Sequence, residues 1–385
     1  MKRLLVVTAL LVAQVVYAQT EAAPAAPAPP GAAVEEVSTA ALAPAHDEQT
    51  LWVSKNVWLE GYAKLGYFWT EASADDALIG SNNGFRLANA RIGAGLELSQ
   101  QLIVFASLDG SVARRNEVDP LRGNRVVDLK DAYIQWAPSR FARLRAGQFK
   151  APFNAETLLP DNALPFVTRS VVTDGVAPPE GFTRAGLTLD RQVGLEVGSE
   201  RLGGPSGLRY TLALVNGNGP NVLDNDNNSV TPVARVAYER GETFSVGANG
   251  YYNQASEGVR PNRLTSNHLG AGGDVTLNVG GLSAFAMVVW RQIDHTNNAL
   301  PTESGLGLVG SLRYVYHRLE GGVRYAQYEP SSAEPSDRLT ELAVMIGYRA
   351  KKLPMRLIAQ YTLRGEESPV QVNNNSIDGL LQVSW

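Results

Sequence analysis

The residue types that carry most enzymatic chemistry are few and scattered in this sequence. Four histidines, His46, His268, His295 and His317, have neither metal-ligand spacing nor the arrangement of a catalytic dyad. No serine sits in a Gly-x-Ser-x-Gly elbow, and cysteine is absent, so thiolate nucleophiles, thiolate metal sites and disulfides are all excluded. Asp224-Asn-Asp-Asn-Asn228 is rich in oxygen ligands but lacks the twelfth-position glutamate of a calcium loop, and it reads as a solvated loop. These patterns predict no enzyme, no metal and no cofactor.

The chemistry on offer is electrostatic. Charged residues recur at every second position between apolar neighbours: Lys64, Arg91, Asp109, Asp131, Arg143, Arg145, Arg209, Arg235, Arg313 and Arg356. A second set lies on one long segment without period: Lys150, Glu156, Asp161, Arg169, Asp174 and Arg184. Charge arranged this way steers ions and polar solutes and catalyses nothing. The first set is the predicted wall of a pore and the second its constriction.

Strands must position the first set. Period-two alternation runs from Val57 onward, in segments near 57–69, 85–99, 102–110, 127–137, 142–149, 187–200, 207–216, 231–239, 243–253, 268–279, 282–293, 305–316, 320–328, 339–350, 353–364 and 376–385. Connections after even-numbered segments are brief, as at Gln100-Gln101 and Gly280-Gly281, and those after odd-numbered segments are long. That rhythm fits a barrel with tight turns at one rim and long loops at the other. Parity agrees: Leu357, Ala359, Tyr361 and Leu363 share a face opposite Arg356, Gln360, Thr362 and Arg364. Aromatic residues cluster at segment ends, as girdles at a membrane interface do. The fold expected is all-β, a 16-stranded antiparallel transmembrane barrel.

The third long connection, Lys150 to Ala185, holds five prolines and shows no strand or helical period. A loop of that length in a compact domain has a task. It is expected to fold into the lumen and set the width of the pore.

Lys2-Arg3 followed by the apolar block Leu4 to Val16 and the small-residue site before Gln19 reads as a secretory signal, residues 1–18. Residues 19–50, rich in Ala and Pro, form an extended periplasmic tether, and residues 51–385 the barrel domain. After residue 50 there are 32 basic and 33 acidic residues, a balance that does not point to nucleic acid. Destination and partners follow: the outer membrane and its lipid, with small hydrophilic solutes or anions in the channel. The rival class is a structural or adhesive barrel whose external loops bind a partner.

Four motifs resemble one known family, the phosphate-selective porin O and P family of bacterial outer membranes. They are Lys130-Asp-Ala-Tyr133, Arg145-Ala-Gly-Gln-Phe-Lys-Ala-Pro-Phe153, Asp190-Arg-Gln-Val-Gly194 and Val215-Asn-Gly-Asn-Gly219. The resemblance spans Val57 to Trp385. It implies a sixteen-stranded homotrimeric channel with its third external loop folded inward and a preference for phosphate or other anions. The balanced charge of the strands and the six lysines after residue 50 offer little for a dense lysine funnel, so arginine must supply any oxyanion recognition.

Overall fold

A computed structural model describes residues 50–71, 83–115, 123–176, 184–222, 225, 227–257, 263–296, 300–351, 353–367 and 372–385. The expected signal and nearly all of the tether lie outside the described residues. Of the Asp/Asn-rich run, Asp224 and Asp226 do so as well.

Among the described residues sixteen antiparallel strands close into a barrel. They are β1 Val57–Thr70, β2 Gly84–Ser99, β3 Leu102–Arg115, β4 Gly123–Ser139, β5 Ala142–Lys150, β6 Arg191–Gly198, β7 Ser206–Val215 and β8 Thr231–Arg240. The second half holds β9 Phe244–Glu257, β10 Leu264–Val279, β11 Leu282–His295, β12 Glu303–Tyr316, β13 Leu319–Glu329, β14 Leu339–Arg349, β15 Met355–Glu366 and β16 Ser376–Ser384. Each strand pairs with its chain neighbours, and β16 pairs with β1 from Ser376↔Thr70 to Ser384↔Tyr62. Closure satisfies every strand edge without a partner chain, which a sheet in hydrocarbon requires. A short strand, Leu51–Ser54, folds back on the start of β1.

Alternation gave the strands to within a few residues, except that β3, β4, β9 and β10 run further toward the long-loop rim and β6 begins at Arg191 instead of 187. On one face stand exposed large apolar residues, for example Ile134, Trp136, Val344, Ile346, Tyr361 and Ile377. In water such a belt would aggregate, whereas against lipid it is the stable arrangement. The opposite face of the same strands buries Gln135, Glu341, Arg356, Gln360, Thr362 and Asp378.

The inner wall also carries two apolar patches. Val233, Met287, Val289, Val309, Ala326 and Tyr328 receive Phe153, Val171, Val172, Val176 and Leu187 of the third long loop. Phe68, Ala343, Met345, Ile358 and Leu380 receive Phe166 and Val167. The loop is not structureless: α1 Ala155–Leu158, a 3-10 turn at Asp161–Ala163 and α2 Val171–Asp174 interrupt it. Asn154 caps α1 through its Oδ1, which accepts from Thr157 N–H at 2.7 Å.

The motif at the end of β5 launches this loop. Gly147 has φ 131°, and a Cβ there would lie 2.1 Å from the carbonyl oxygen of Ala132, so only glycine fits the pairing with β4. Gln148 Nε2 donates to the Leu129 and Lys130 carbonyls, and its Oε1 accepts from Asn221 N–H at 2.8 Å. Phe149 and Phe153 are buried in the larger inner cluster. Gly147→Ala is expected to cost roughly 1–3 kcal/mol in backbone strain alone. The check is the temperature at which the folded barrel loses its compact mobility in gels, which should fall.

Candidate functional site

The third loop is tied to the inner wall by polar contacts from six strands. Tyr62 and Lys64 of β1 hold Asp161, the tyrosine hydroxyl donating to Oδ2 at 3.0 Å and the ammonium to the backbone carbonyl at 2.5 Å. Arg91 of β2 pairs with the same carboxylate at 2.8 Å, and Arg169 within the loop pairs with its other oxygen. Arg324 of β13 donates to the Thr168 carbonyl at 2.7 Å, and Tyr328 OH, from the same strand, to that of Ala185 at 2.6 Å. From β15, Arg356 donates to the carbonyls of Leu164 and Pro165, while Gln360 Oε1 accepts from Val167 N–H at 3.0 Å. Gln382 of β16 donates to the Asn162 carbonyl at 2.9 Å, and Arg291 of β11 to that of Gly186 at 3.2 Å.

Burial alone would raise the Asp161 carboxyl, but Arg169, Arg91 and Lys150 outweigh it and hold the group well below the usual carboxylate range. The same pairing pushes Arg169 upward against its own desolvation. Both stay ionised through the physiological range.

The other loop residues have more local duties. Glu156 is buried and accepts from Ser170 N–H at 3.0 Å and from the Ser170 and Thr173 hydroxyls at 2.5 Å each, joining the two short helices. Lys150 Nζ donates to the carbonyls of Thr157 and Leu159. Asp174 is exposed at the end of α2. Arg184 lies in a two-residue pairing with Val176, and its side chain is outside the described residues.

On the wall, guanidinium and carboxylate groups pair along the buried faces of neighbouring strands. Arg143 lies 3.1 Å from Glu196, Arg145 3.5 Å from the same group, Arg209 3.3 Å from Glu239, Arg235 2.6 Å from Asp274 and Arg313 2.6 Å from Glu320. Glu320 also pairs with Arg356 and, at 3.6 Å, with Arg349. Asp109 is enclosed by Asn89, Ala90 N–H and Ser111. Asp131 receives a forked pair of bonds from Arg191, both 3.0 Å.

These pairs are not symmetric toward water. Glu320, Asp274 and Glu196 expose 0%, 1% and 3% of their side chains, whereas Arg349 and Arg209 expose 50% and 44%. A cavity of about 1120 Å³ at the short-turn end is lined by Arg143, Arg145, Arg209, Arg313 and Arg349 among others, with Glu60, Asp131, Glu196 and Glu239 between them. At this end Arg209 and Arg349 therefore reach the water above covered or half-covered carboxylates, whereas Arg191 and Arg356 are themselves buried.

Period two did not select Arg191, which has the parity of the exposed Leu195 yet is buried against Asp131. Gln360 and Gln382 have the parity of the polar face, but alternation gave no loop partner for them or for Tyr62, because those partners are remote in sequence.

Comparison with known proteins places this geometry. The family model described as phosphate-selective porin O and P matches residues 60–256, just over half of the chain. No curated protein sequence matches it. The outer membrane channel DcaP of Acinetobacter baumannii is similar in structure, with a TM-score of 0.60 and 13% identity over 87% of this chain and 100% of that one. The anion-selective porin from Comamonas acidovorans gives 0.57 and 11% over 86% and 99%. In-vitro folded OmpT of Vibrio cholerae, in its trimer form, gives 0.55 and 11% over 86% and 99%. At such identity these likenesses speak for the barrel fold. The family match over this barrel supplies the rest: the chain belongs to the phosphate-selective porin O and P family and is an outer-membrane channel-forming porin.

Proposed function

We propose that the channel passes small hydrophilic solutes by diffusion, with a preference for anions, through an aperture narrowed by the described residues of the third loop, 151–176 and 184–190. The observation that carries the preference is the exposure of Arg209 and Arg349 at the short-turn end, the second of them over the buried Glu320. Solvent-facing guanidinium groups meet the solute directly, while the carboxylates beneath them lower the summed potential and are covered from contact. A pore lined this way raises the local concentration of oxyanions, and arginine offers them two parallel N–H bonds. The printed description of the Comamonas acidovorans porin as anion-selective and the family's own description point the same way. Assembly as a homotrimer is supported by the trimer form of Vibrio cholerae OmpT. The aperture reading rests on the contacts that hold the third loop against six strands.

Reversal potential across a planar bilayer in a potassium chloride gradient tests the preference. The wild type should reverse toward the chloride potential. Arg209→Glu with Arg349→Glu should shift it toward potassium, since both side chains are exposed and their replacement changes the vestibule by four charges. A cation-selective wild type, or no shift in the double variant, would remove the preference.

A further inference from the structure

A second cavity, about 620 Å³, lies toward the long-loop rim, between the end of the third loop and the Asn218 turn. That volume suits a small organic molecule. Arg291 of β11 lines it and differs from the wall arginines described above, each of which pairs with a carboxylate. Among the described residues Arg291 forms no ion pair. Its Nη1 donates to the Gly186 carbonyl at 3.2 Å, its Nη2 to the Pro330 carbonyl at 3.5 Å, and its Nε is buried without a partner. A guanidinium is a planar fork of five N–H donors that matches a carboxylate, so two long bonds to neutral carbonyls leave that geometry unsatisfied. The carboxylate that feels its charge, Glu303, is itself engaged by His295 and Ser331.

The surroundings narrow the choice of ligand. Gln192 spends its Oε1 on Gly219 N–H at 3.1 Å, and its Nε2 has no partner among the described residues. Tyr251, Leu189 and Ala255 add apolar surface that a free inorganic oxyanion has no use for. Asp190, the acidic residue of the lining, already faces Arg191 at 3.5 Å. A guanidinium with no direct ion pair among the described residues, beside apolar surface and an amide side chain, calls for a negative charge on a carbon skeleton.

We propose that this cavity binds a small organic monocarboxylate, its carboxylate paired with Arg291 and its skeleton against Tyr251 and Leu189. The site lies on the long-loop side of the third loop, so it holds such a solute ahead of the aperture. The chemistry is independent of the guanidinium-lined vestibule at the other end.

A ligand-observed NMR titration of the folded full chain in detergent tests the assignment, with benzoate as probe and benzamide as its uncharged counterpart. Binding is read at equilibrium and without current, so failure of the proposed ion preference leaves this result interpretable. Benzoate is expected to bind saturably and benzamide not. Arg291→Gln should raise the benzoate Kd at least tenfold, and Ala255→Trp, which keeps the arginine and fills the space, should do the same. The heat-shifted gel band shows that each variant is folded. Benzamide binding as tightly as benzoate, or benzoate binding unchanged in either variant, overturns the proposal.

Discussion

Asp161→Ala is expected to raise the unitary conductance of the channel and make the open level noisy. Four groups converge on that residue: Arg91, Arg169 and the hydroxyl of Tyr62 on its carboxylate, and the ammonium of Lys64 on its carbonyl. Removing one partner of a buried ion pair costs about 3–5 kcal/mol, because the opposing charges remain desolvated and uncompensated. The apolar contacts of Phe166 and Val167 and the Lys64 bond to the backbone persist, so the loop loses the side-chain ties to Tyr62 and Arg91 and keeps its hold at β14–β15. A native pH series gives an independent reading. A carboxylate whose folded value is depressed contributes stability that is present above its unfolded value, near 3.9, and is lost as pH falls through the folded one. Wild-type conductance should therefore stay constant well below pH 4, whereas release of the loop near pH 5 would show that Asp161 is not its tether.

Glu320→Gln should be the most destabilising isosteric change in the wall, by roughly 3–5 kcal/mol. This carboxylate is fully covered and faces Arg313, Arg349 and Arg356, the last of which also holds the carbonyls of Leu164 and Pro165. The amide keeps the shape and removes the charge that lets three guanidiniums lie together. Urea unfolding in detergent micelles should show a lower midpoint. Channels that do fold should reverse closer to the chloride potential than wild type, because net positive charge rises next to the vestibule. An unchanged midpoint would mean that water, and not Glu320, compensates the cluster.

The strands were legible in the sequence because lipid enforces one rule on every second residue: Leu357 and Tyr361 had to be apolar wherever Arg356 and Gln360 pointed. The rule weakened where the third loop covers the wall. Met287 and Val289 are buried apolar residues on the inner face, so β11 is apolar on both sides there and Arg291, of the same parity, passed unnoticed. Loop partners were not legible at all, since Tyr62 meets Asp161 across 99 residues and Gln382 meets Asn162 across 220. Glu156 was expected at the aperture; it bonds Ser170 and Thr173 inside the loop, a duty that only the folded loop reveals. A count of wall charges was uninformative, because depth, not count, distinguishes Arg349 from Glu320.

The pairing of β16 with β1 makes assembly an end-to-end event. Those two segments sit more than three hundred residues apart, and until they meet, both carry unpaired amide and carbonyl rows that neither water-free lipid nor a neighbouring strand satisfies. Every intermediate on the way to the finished cylinder therefore has a sticky seam. Non-local pairing of this kind is slow, and the exposed edges of such intermediates are prone to aggregate.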